Sequence, residues 1–487
     1  MSQVKITIDG KECLAEEGEF ILNVARANDI FIPAICYLNR CSPTLACRIC
    51  LVESNGKQVY ACNAKVKDGM EVITSTENIE RERKAIMEVY DVNHPLECGV
   101  CDQSGECELQ NYTLHMKVDQ QNYAIKDTHK PVQNWGHIQY DPALCIMCEK
   151  CVTVCKDMIG DTALKTVPRG SDKLDPQYKE TMPKDSYAMW NKLNKSLIGA
   201  VAGETLDCTS CGECSAVCPV GAIVGTDFKF STNAWELEKI PSTCAHCSIG
   251  CSLNYEVKHT TVHDDTRKIY RVTNESHFST LCGAGRYGYD FENRVENKDE
   301  AKFKEAVEFL KNADTVNFSS QITNEEALIL EKLREKLGFK LVNRDAFEFN
   351  RFLKEYSAVS GKSLYEGTLD EVRSSNFVVA VGSAFKTDSP NSRFALNNSI
   401  KRNKGAGLYF HPIKDPVVDG FGKSLIQVPH NPHEEHIALK WVLKRFGKDL
   451  PESLEKDLEK IEFSDFYISE AFEADLEKNL KKKINFS

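Results

Sequence analysis

The amino-acid sequence predicts a multidomain α+β protein in which a cysteine-rich first part is followed by a layered α/β region. Twenty of its 21 cysteines precede Ser252, and Cys282 is the last one. From about Ala301 the sequence instead alternates helical patterns with short apolar runs, which is typical of α/β layers. With 487 residues, the chain is long enough for several cores. We therefore expect metal chemistry in the first part and a different role for the remainder.

The first thirty residues carry the pattern of a small sheet with one helix. Residues 4–8 alternate between apolar and polar side chains, Asp9-Gly10 is a hairpin turn signal, and residues 11–14 can return antiparallel. Residues 19–27 follow as a short helix with one apolar face. A strand, a hairpin and a helix ahead of a cysteine loop resemble the β-grasp fold of plant-type ferredoxins, so we expect that fold here.

Further along the chain, periodicity predicts one helix in the cysteine-rich part and several elements beyond it. Residues 78–90 are predicted as an amphipathic helix leading to His94. Residues 171–185, rich in Lys, Asp and Pro, are typical of a surface loop. Beyond Ala301 we expect helices at 303–312, 324–337 and 433–447, and buried strands at 315–318, 377–381 and 407–411. The charged tail, residues 472–487, predicts no particular structure.

Charge and hydropathy exclude two classes of direct partner. The chain holds 61 basic and 72 acidic residues, a formal net charge of −11, without a Lys/Arg-rich block, so no nucleic-acid partner is expected. The N-terminus lacks the apolar segment of a signal peptide, and no stretch approaches the roughly 18–20 apolar residues that span a bilayer. We expect a soluble cytosolic protein that meets a membrane only through partner subunits. In that compartment an odd number of cysteines indicates metal ligation rather than disulfides.

The first set of candidate ligands has a close cysteine pair with one outlier on each side: Cys36, Cys47, Cys50 and Cys62. Two thiolates for each iron suit a [2Fe–2S] cluster. The alternative is zinc, because C-x2-C is also half of a zinc knuckle, although a zinc ribbon would normally offer a second such pair. Cys13 and Cys41 lie outside the pattern and are expected to be ordinary small buried residues.

The second set lies in the segment HPLECGVCDQSGECELQ and consists of one histidine and three close cysteines: His94, Cys98, Cys101 and Cys107. A histidine beside proline is most often structural. The three cysteines lack a fourth ligand, however, and His94 is the nearest candidate. We therefore predict a [4Fe–4S] cluster with one imidazole ligand. Such a cluster is less negative than one held by four cysteines, which should raise its reduction potential.

Two complete runs form the pattern of a two-cluster ferredoxin. They are Cys145, Cys148, Cys151 and Cys155, then Cys208, Cys211, Cys214 and Cys218, followed by Pro219. In this pattern the fourth cysteine of each run ligates the other cluster. One [4Fe–4S] cluster is therefore expected on the third set, defined as Cys145, Cys148, Cys151 and Cys218. Another is expected on the fourth set, defined as Cys208, Cys211, Cys214 and Cys155.

The fifth set again has three close cysteines and one distant cysteine: Cys244, Cys247, Cys251 and Cys282. This spacing suits a further [4Fe–4S] cluster, and zinc is the alternative. Residues 283–288 also fit the dinucleotide motif G-x-G-x-x-G, which carries meaning only between a strand and a helix. Residues 289–298 are a poor helix start, so we interpret these glycines as turn residues beside the cluster. The total prediction is one [2Fe–2S] and four [4Fe–4S] clusters.

The order of the five sets resembles that of the NADH-quinone oxidoreductase-G family, the large iron–sulfur subunits of respiratory complex I. The segments HPLECGVCDQSGECELQ, CIMCEKCVTVC and CPVGAI carry the resemblance through about Asp290. Residues 301–487 are similar to the start of the molybdopterin-oxidoreductase fold, with VVAVGSAFKTDSPNSR at a strand-turn position. The resemblance implies five domains: a β-grasp [2Fe–2S] domain (1–85), a His-plus-three-cysteine domain (86–135), a two-cluster ferredoxin-like domain with an insertion (136–236), a four-cysteine domain (237–295) and a partial α/β molybdopterin-oxidoreductase-like region (296–487).

The same resemblance implies an electron-relay subunit without catalytic residues of its own. It implies that electrons arrive from a flavin-bearing, flavodoxin-docking or ferredoxin-docking partner and leave through a ferredoxin-like subunit on the quinone side. These partners would be complex I peripheral-arm subunits on the cytoplasmic side of the inner membrane. The clusters of the second and third sets would lie on the main path, and the cluster of the fifth set would lie off it.

Two departures from the family pattern affect the expected function. Many relatives keep only the third set, whereas this chain also retains the fourth, as related iron-only hydrogenases do. Active formate dehydrogenases place a lysine two residues after the distant cysteine, where this chain has Ala284, and no cysteine follows Cys282 to ligate a metal. We therefore expect the large fold to lack molybdenum. The alternatives are a subunit of a formate dehydrogenase or hydrogenase-type complex, and a zinc-stabilised scaffold.

Overall fold

A computed structural model describes residues 3–125, 130–261, 267–275, 279–289, 299–446 and 452–459. The described residues form six small sheets joined by short helices, so the expected mixture of α and β structure is confirmed. The chain divides into two compact units, one made of residues 1–289 and 372–487 and the other of residues 290–371. The five predicted domain boundaries stay predictions. Within the described ranges, no helix is long and apolar enough to cross a membrane.

The N-terminal sheet has five strands in the order Lys11–Glu16, Gln3–Ile8, Met70–Ile73, Leu51–Ser54 and Lys57–Tyr60. The predicted hairpin is confirmed, and its first strand also pairs in parallel with residues 70–73. The helix Ile21–Ala27 packs its apolar face on this sheet. It begins two residues later than predicted because Phe20 has an extended backbone and bridges to Lys65.

The helix Glu77–Asn93 agrees with the prediction for residues 78–90 and ends immediately before His94. The Thr76 side chain caps its first turn. The buried Arg83 side chain extends from this helix to the N-terminal sheet, where Nε donates to the Ile49 carbonyl at 3.0 Å. Arg83 Nη2 donates to two further carbonyls, those of residues 51 and 74, at 2.7 and 3.0 Å. Arg83 therefore connects the helix to the sheet through three backbone groups.

Residues 94–236 contain mostly short elements, and the candidate ligands lie in or beside their turns. Antiparallel pairing joins Gln133–Asn134, Ile138–Tyr140 and Ile223–Gly225 in one sheet and Leu164–Pro168 with Ser196–Ala200 in another. The α-helices are Glu108–His115, Lys150–Thr153, Tyr178–Thr181, Lys184–Lys195 and Glu213–Ala216. Short 3₁₀ or π segments lie at Cys98–Val100, Val154–Ile159 and Ala234–Glu236.

The prediction of a surface loop for residues 171–185 is wrong in part. This segment contains the helical turn Tyr178–Thr181, and the twelve-residue helix Lys184–Lys195 begins inside it. Trp190, near the middle of that helix, is fully buried in the same apolar core as Tyr140. The apolar stripe of the helix follows the polar segment, so the composition of residues 171–185 did not reveal it.

Three antiparallel strands lie next to the fifth set: Glu238–Thr243, Ser252–His259 and Arg267–Thr273. The interpretation of glycines 283–288 as turn residues is wrong, because Gly283–Tyr287 is a short helix that begins directly after Cys282. The glycines do lie beside the set, since a Cβ added at Gly285 would be 3.5 Å from Cys244 Sγ. Residues 290–298, part of the segment predicted as a poor helix start, lie outside the described residues.

The described part of the second unit consists of three long helices and a two-stranded parallel sheet: Glu300–Lys311, Thr315–Asn317, Asn324–Leu337, Lys340–Val342 and Arg344–Ser360. The predicted helix at 324–337 is confirmed, and Thr323 and Glu326 form a capping box at its start. The strand predicted at 315–318 is present but is not buried, because both Thr315 and Asn317 are exposed.

The remaining described elements lie at Leu369–Ser374, Phe377–Val381, Pro390–Asn397, Asn398–Arg402, Ala406–Phe410, Pro416–Asp419, Gly422–Ser424, Leu425–Val428, Glu435–Phe446 and Glu452–Glu459. Three of them form a parallel sheet in chain order, strands 377–381, 406–410 and 425–428. The strands predicted at 377–381 and 407–411 are therefore confirmed to within one residue. The helix predicted at 433–447 is present over 435–446, while the tail 472–487 lies outside the described residues.

The Arg83→Met substitution tests the connection between helix and sheet. It removes the charge-bearing donors from three buried carbonyls, so we expect the free energy of unfolding to fall by about 2–4 kcal/mol. Urea denaturation followed by far-ultraviolet circular dichroism measures the change. The control is Arg81→Met, because Arg81 lies on the same helix but is exposed and bonds only Asn78 there. A control that loses as much stability as Arg83→Met would contradict the role of the buried contacts.

Candidate iron–sulfur centres

The loop between residues 36 and 62 brings the first set together as two adjacent pairs of buried thiols. The Cys47 thiol hydrogen-bonds the sulfur of Cys36, which lowers the pKa of Cys36 to about 6 in spite of its burial. Cys50 and Cys62 are in the same relation, and this contact, followed by burial, raises the pKa of Cys50. Two adjacent pairs match a [2Fe–2S] cluster, in which each iron takes two cysteines.

The two ferredoxin runs adopt the same backbone conformation around their first cysteines. In each run the residues two and four positions after the first cysteine have positive φ angles: Met147 and Glu149 at 51° and 61°, Ser210 and Gly212 at 54° and 71°. Alternating left-handed residues turn backbone N–H groups towards a shared anion. The N–H of Met147 lies 3.5 Å from Cys145 Sγ, and the N–H of Ser210 lies 3.3 Å from Cys208 Sγ. Both loops therefore offer hydrogen bonds to sulfur.

The structure brings the fourth cysteine of each run close to the other run. Burial is the main reason why the pKa of Cys148 is raised, and the nearby Cys218 adds to the shift. Burial likewise raises the pKa of Cys214, with further contributions from Cys155 and Cys208. A single cavity is lined by all four thiols of the fourth set. The thiols are therefore grouped as the third and fourth sets, and not as two consecutive runs.

His94 directly follows the long helix and faces the same cavity as two of its partner cysteines. Its imidazole lines this cavity together with Cys98 and Cys107, and Cys101 lies close enough to contribute to the raised pKa of Cys107, which is caused mainly by burial. Burial lowers the pKa of His94 to about 4, so the ring is neutral at pH 7, as a ligand must be. His94 Nδ1 is buried and has no hydrogen-bond partner among the described residues. A metal ligand role would satisfy that nitrogen.

The fifth set joins the loop of residues 244–251 to the start of the helix at residue 283. The N–H of Cys244 donates to the Cys251 carbonyl at 2.9 Å and closes the loop. Burial raises the pKa of Cys251 to about 11, a hydrogen bond from Asn391 opposes this shift, and the neighbouring thiols of Cys244, Cys247 and Cys282 add to it. All four predicted ligands are therefore close together.

In the part of the chain that the structure describes, no three His, Cys, Asp or Glu side chains are arranged to hold a single metal ion. An iron–sulfur cluster places several irons and sulfides between its thiolates, so its ligands need not converge on one point. Burial raises the pKa of grouped thiols such as Cys148 and Cys211, which disfavours thiolates without a compensating cation. Soft thiolates and the positive charge of iron compensate each other. The five groups therefore fit iron–sulfur clusters in their chemistry.

Polar contacts connect the first three sets. The buried Lys150 donates to Glu108 at 2.6 Å, and the nearby Cys148 and Cys36 help to keep its pKa raised against the opposing and larger effect of burial. Glu108 directly follows the ligand Cys107, and its N–H donates to the carbonyl of Pro219 at 2.9 Å. The residues next to the ligands of the second and third sets are therefore hydrogen-bonded to each other.

A buried ion pair connects the fourth and fifth sets. Arg286 donates to Glu213 Oε1 at 2.6 Å and to the Cys211 carbonyl at 2.9 Å. The same Glu213 oxygen accepts the N–H of Leu281, which precedes Cys282, at 2.8 Å. Because both charged side chains are buried, the pair is partly shielded from water. It holds the two ligand loops against each other.

The side chains that hydrogen-bond ligand sulfurs were not predicted from the sequence. Burial raises the pKa of Cys145, and a hydrogen bond from the Tyr140 hydroxyl opposes this shift. Asn391 Nδ2 donates to Cys251 Sγ at 2.8 Å. Tyr140 lies in a short strand five residues before its partner, so an inward-facing tyrosine could have been suspected. Asn391 is 140 residues away from Cys251, and no local pattern indicates it.

Three protein families match parts of this chain. Residues 1–77 match a 2Fe-2S iron-sulfur cluster binding domain. Residues 83–122 match the NADH-ubiquinone oxidoreductase-G iron-sulfur binding region, and residues 205–224 match a 4Fe-4S binding domain. These segments contain the first set, the second set and the second ferredoxin run, respectively. Binding regions for both kinds of cluster are therefore present in the chain.

Similar proteins include subunits of two kinds of oxidoreductase. The alpha subunit of an NADPH-Fe(3+) oxidoreductase from Geobacter sulfurreducens is 31% identical over 96% of this chain and 54% of its own length. A NADH-quinone oxidoreductase subunit from Rhizobium meliloti is 32% identical over 61% of this chain and 32% of its own length. The 75 kDa subunit of a NADH-ubiquinone oxidoreductase from Reclinomonas americana is 25% identical over 83% of this chain and 59% of its own length.

The chain thus spans between about a third and three-fifths of the length of these relatives. A solved structure of a NAD+-reducing [NiFe]-hydrogenase in the H2-reduced state aligns with 48% of this chain and 92% of that chain, at a TM-score of 0.39 and 22% identity. The iron-sulfur binding region at residues 83–122 and the match to the Rhizobium protein over 311 residues indicate common ancestry with complex I proteins. In its iron–sulfur part, this chain is a homologue of the NADH-quinone oxidoreductase-G proteins.

Proposed function

We propose that this chain is an electron-relay subunit of a complex I-like oxidoreductase and has no substrate chemistry of its own. The first set would hold a [2Fe–2S] cluster, and the second to fifth sets would each hold a [4Fe–4S] cluster. When bound, such clusters accept and release single electrons. The residues of the chain fix the positions of the centres, exclude water from them and tune their potentials by ligand type, hydrogen bonding and burial.

The observation that carries this proposal is an apolar core shared by four of the five sets. It buries cysteines of the first and third sets and packs against cysteines of the second and fourth: Cys36, Cys47, Cys148, Cys151, Cys107 and Cys214. A second apolar cluster joins Cys211 of the fourth set to Cys282 of the fifth. Independent structural zinc sites would have no need of such continuity. A relay needs it, because its centres must be neighbours.

These contacts support an arrangement with the third set at the centre. The first set and the second set both contact it through the Lys150 and Glu108 side chains described above. The fourth set shares the core with it, and the fifth set follows the fourth through the Arg286–Glu213 pair. In this proposal the fourth set connects the fifth to the remaining centres.

The exposure of the second set supports a partner on the acceptor side. Cys98 is an exposed candidate ligand, and the apolar side chains of Leu96 and Val100 beside it are 85% and 68% exposed. Exposed apolar residues next to a redox centre are suited to contact with another subunit. We propose a ferredoxin-like quinone-side subunit there, a flavin-bearing or donor-docking subunit elsewhere, and a location on the cytoplasmic side of the inner membrane.

A second candidate function is electron relay in an NADPH-dependent Fe(3+) oxidoreductase. The Geobacter alpha subunit favours it, because that similarity extends over 96% of this chain. The two candidates differ in the partners and in the final acceptor, while the role of this chain is the same. Purification of the chain with its native partners, followed by assays of quinone and Fe(3+) reduction with NADH and with NADPH, distinguishes them.

The first prediction concerns the number of iron atoms. Anaerobically purified protein should contain about 18 irons per chain, together with matching acid-labile sulfide and low-temperature electron paramagnetic resonance signals of both cluster types. About 14 irons would mean that one of the predicted [4Fe–4S] clusters is absent. A colourless protein with zinc and without sulfide would contradict the relay and support the zinc scaffold.

The second prediction concerns the exchange of cysteines between the two runs. Cys155→Ser should damage the cluster of the fourth set and spare that of the third, because a serine oxygen is a poor match for soft iron. Iron should fall to about 14 per chain. Cys41→Ala is the control, since Cys41 belongs to the same apolar cluster as Cys211 but to none of the sets. Loss of the third-set signals in Cys155→Ser would show that each run instead holds its own cluster.

The third prediction concerns the close approach of Gly221 to the second set. A Cβ at this position would lie 2.6 Å from Cys101 Sγ, so Gly221→Ala must displace the sulfur. We expect loss of the His94-ligated cluster and of about four irons, measured by iron analysis and electron paramagnetic resonance. Gly225→Ala is the matched control, because its Cβ would have no neighbour closer than 3.9 Å. Full cluster content in Gly221→Ala would exclude Cys101 as a fixed ligand.

A further inference from the structure

The amide of Asn391 is in direct contact with a predicted ligand of the fifth set. Asn391 Nδ2 lies 2.8 Å from Cys251 Sγ, and the residue is only 3% exposed. The contact joins parts of the chain that are 140 residues apart. It brings a neutral hydrogen-bond donor from the α/β region to a sulfur of the iron–sulfur part.

The orientation of this amide is fixed by Thr280, two residues before Cys282. Thr280 Oγ1 donates to Asn391 Oδ1 at 2.7 Å, and Asn391 Nδ2 donates to the Thr280 carbonyl at 3.0 Å. A reversed amide would place its oxygen against both a carbonyl oxygen and a sulfur, which cannot donate to it. The nitrogen of Asn391 must therefore face Cys251.

The helix that carries Asn391, Pro390–Asn397, is anchored on the iron–sulfur part at two further points. Arg393 forms a buried ion pair with Asp161 at 2.7 Å. Asn397 Nδ2 donates to the carbonyl of Asp157 at 3.2 Å, and the next residue, Asn398, donates to the same carbonyl. These anchors limit the movement of the helix, so the amide of Asn391 is held in place before any cluster is bound.

We propose that Asn391 is a positioning residue that raises the reduction potential of the fifth-set cluster by hydrogen-bonding Cys251 Sγ. This inference rests on the ligand assignment of the proposed function. A hydrogen bond withdraws electron density from a thiolate and thereby favours the reduced cluster, which is the more negative form. The contact is buried and its donor is preorganised, so water cannot replace it without rearrangement.

The experiment is a redox titration of the purified full-length protein, monitored by low-temperature electron paramagnetic resonance. The fifth-set signal is assigned by its loss in Cys244→Ser. Asn391→Leu keeps the approximate volume and removes the donor, while Asn391→Asp keeps the acceptor for Thr280 and replaces the donor by an anionic oxygen. We expect midpoint potentials in the order wild type, then Asn391→Leu, then Asn391→Asp, the lowest.

For Asn391→Leu we expect the ratio of reduced to oxidised cluster at a fixed potential to fall roughly tenfold, which corresponds to about 59 mV for a one-electron couple. The control is Asn398→Leu, which removes a buried anchor of the same segment without touching Cys251. It should leave the midpoint of the fifth-set signal unchanged. An equal decrease in Asn398→Leu would show that packing sets the potential and would overturn the inference.

The remaining outcomes separate this inference from the proposed function. An intact signal with an unchanged midpoint in both Asn391 variants overturns the inference and leaves the relay in place. A wild-type protein in which Cys244→Ser removes no signal shows that the fifth set does not hold a cluster, and the inference then falls with that assignment. A lowered midpoint in the Asn391 variants alone, with the other cluster signals unchanged, supports the hydrogen bond as its cause.

Discussion

The close grouping of thiols in a buried, apolar core is the constraint on which the rest of this structure depends. Burial disfavours thiolates, and each thiolate also disfavours ionisation of its neighbours, as the raised pKa values of Cys148 and Cys151 show. Such a core is stable with neutral thiols or with thiolates compensated by iron, but not with uncompensated thiolates. The buried Lys150 and the N–H groups directed at sulfur supply part of the compensation. Folding and metal loading of this part of the chain should therefore be strongly coupled.

The same constraint gives the insertion between the two ferredoxin runs a physical role. Its hairpin and its helix Lys184–Lys195 pack Trp190 into the core that contains Cys148 and Cys151. The insertion therefore covers thiols that would otherwise be closer to water, and a low local dielectric strengthens the effect of each hydrogen bond to sulfur. Because Cys155 and Cys218 are grouped with the opposite runs, the chain on both sides of the insertion is drawn to one place, and the insertion must fold back over it.

Much of the local structure could be predicted from the sequence, while the contacts between distant segments could not. The hairpin at the N-terminus and the helix at 324–337 follow from periodicity and capping residues, which are local signals. The grouping of the thiols follows from spacing because the ligands of one cluster usually come in short runs. The helix containing Trp190 was not predicted because a polar segment precedes its apolar stripe. Asn391 was not predicted because its partner is brought to it only by tertiary packing, to which a single sequence gives no access.

The α/β region after residue 372 is more than a separate scaffold, because part of its stability depends on the fourth set. Arg393 pairs with Asp161, and the same carboxylate accepts the backbone N–H and the hydroxyl of Thr209, a residue between Cys208 and Cys211. Residues 372–487 accordingly form one compact unit with residues 1–289. A chain without the fourth-set loop would leave Arg393 buried without its ion-pair partner, which is costly. Retention of the fourth set and the docking of the helix that carries Asn391 are therefore structurally linked, so that loss of one would remove support for the other.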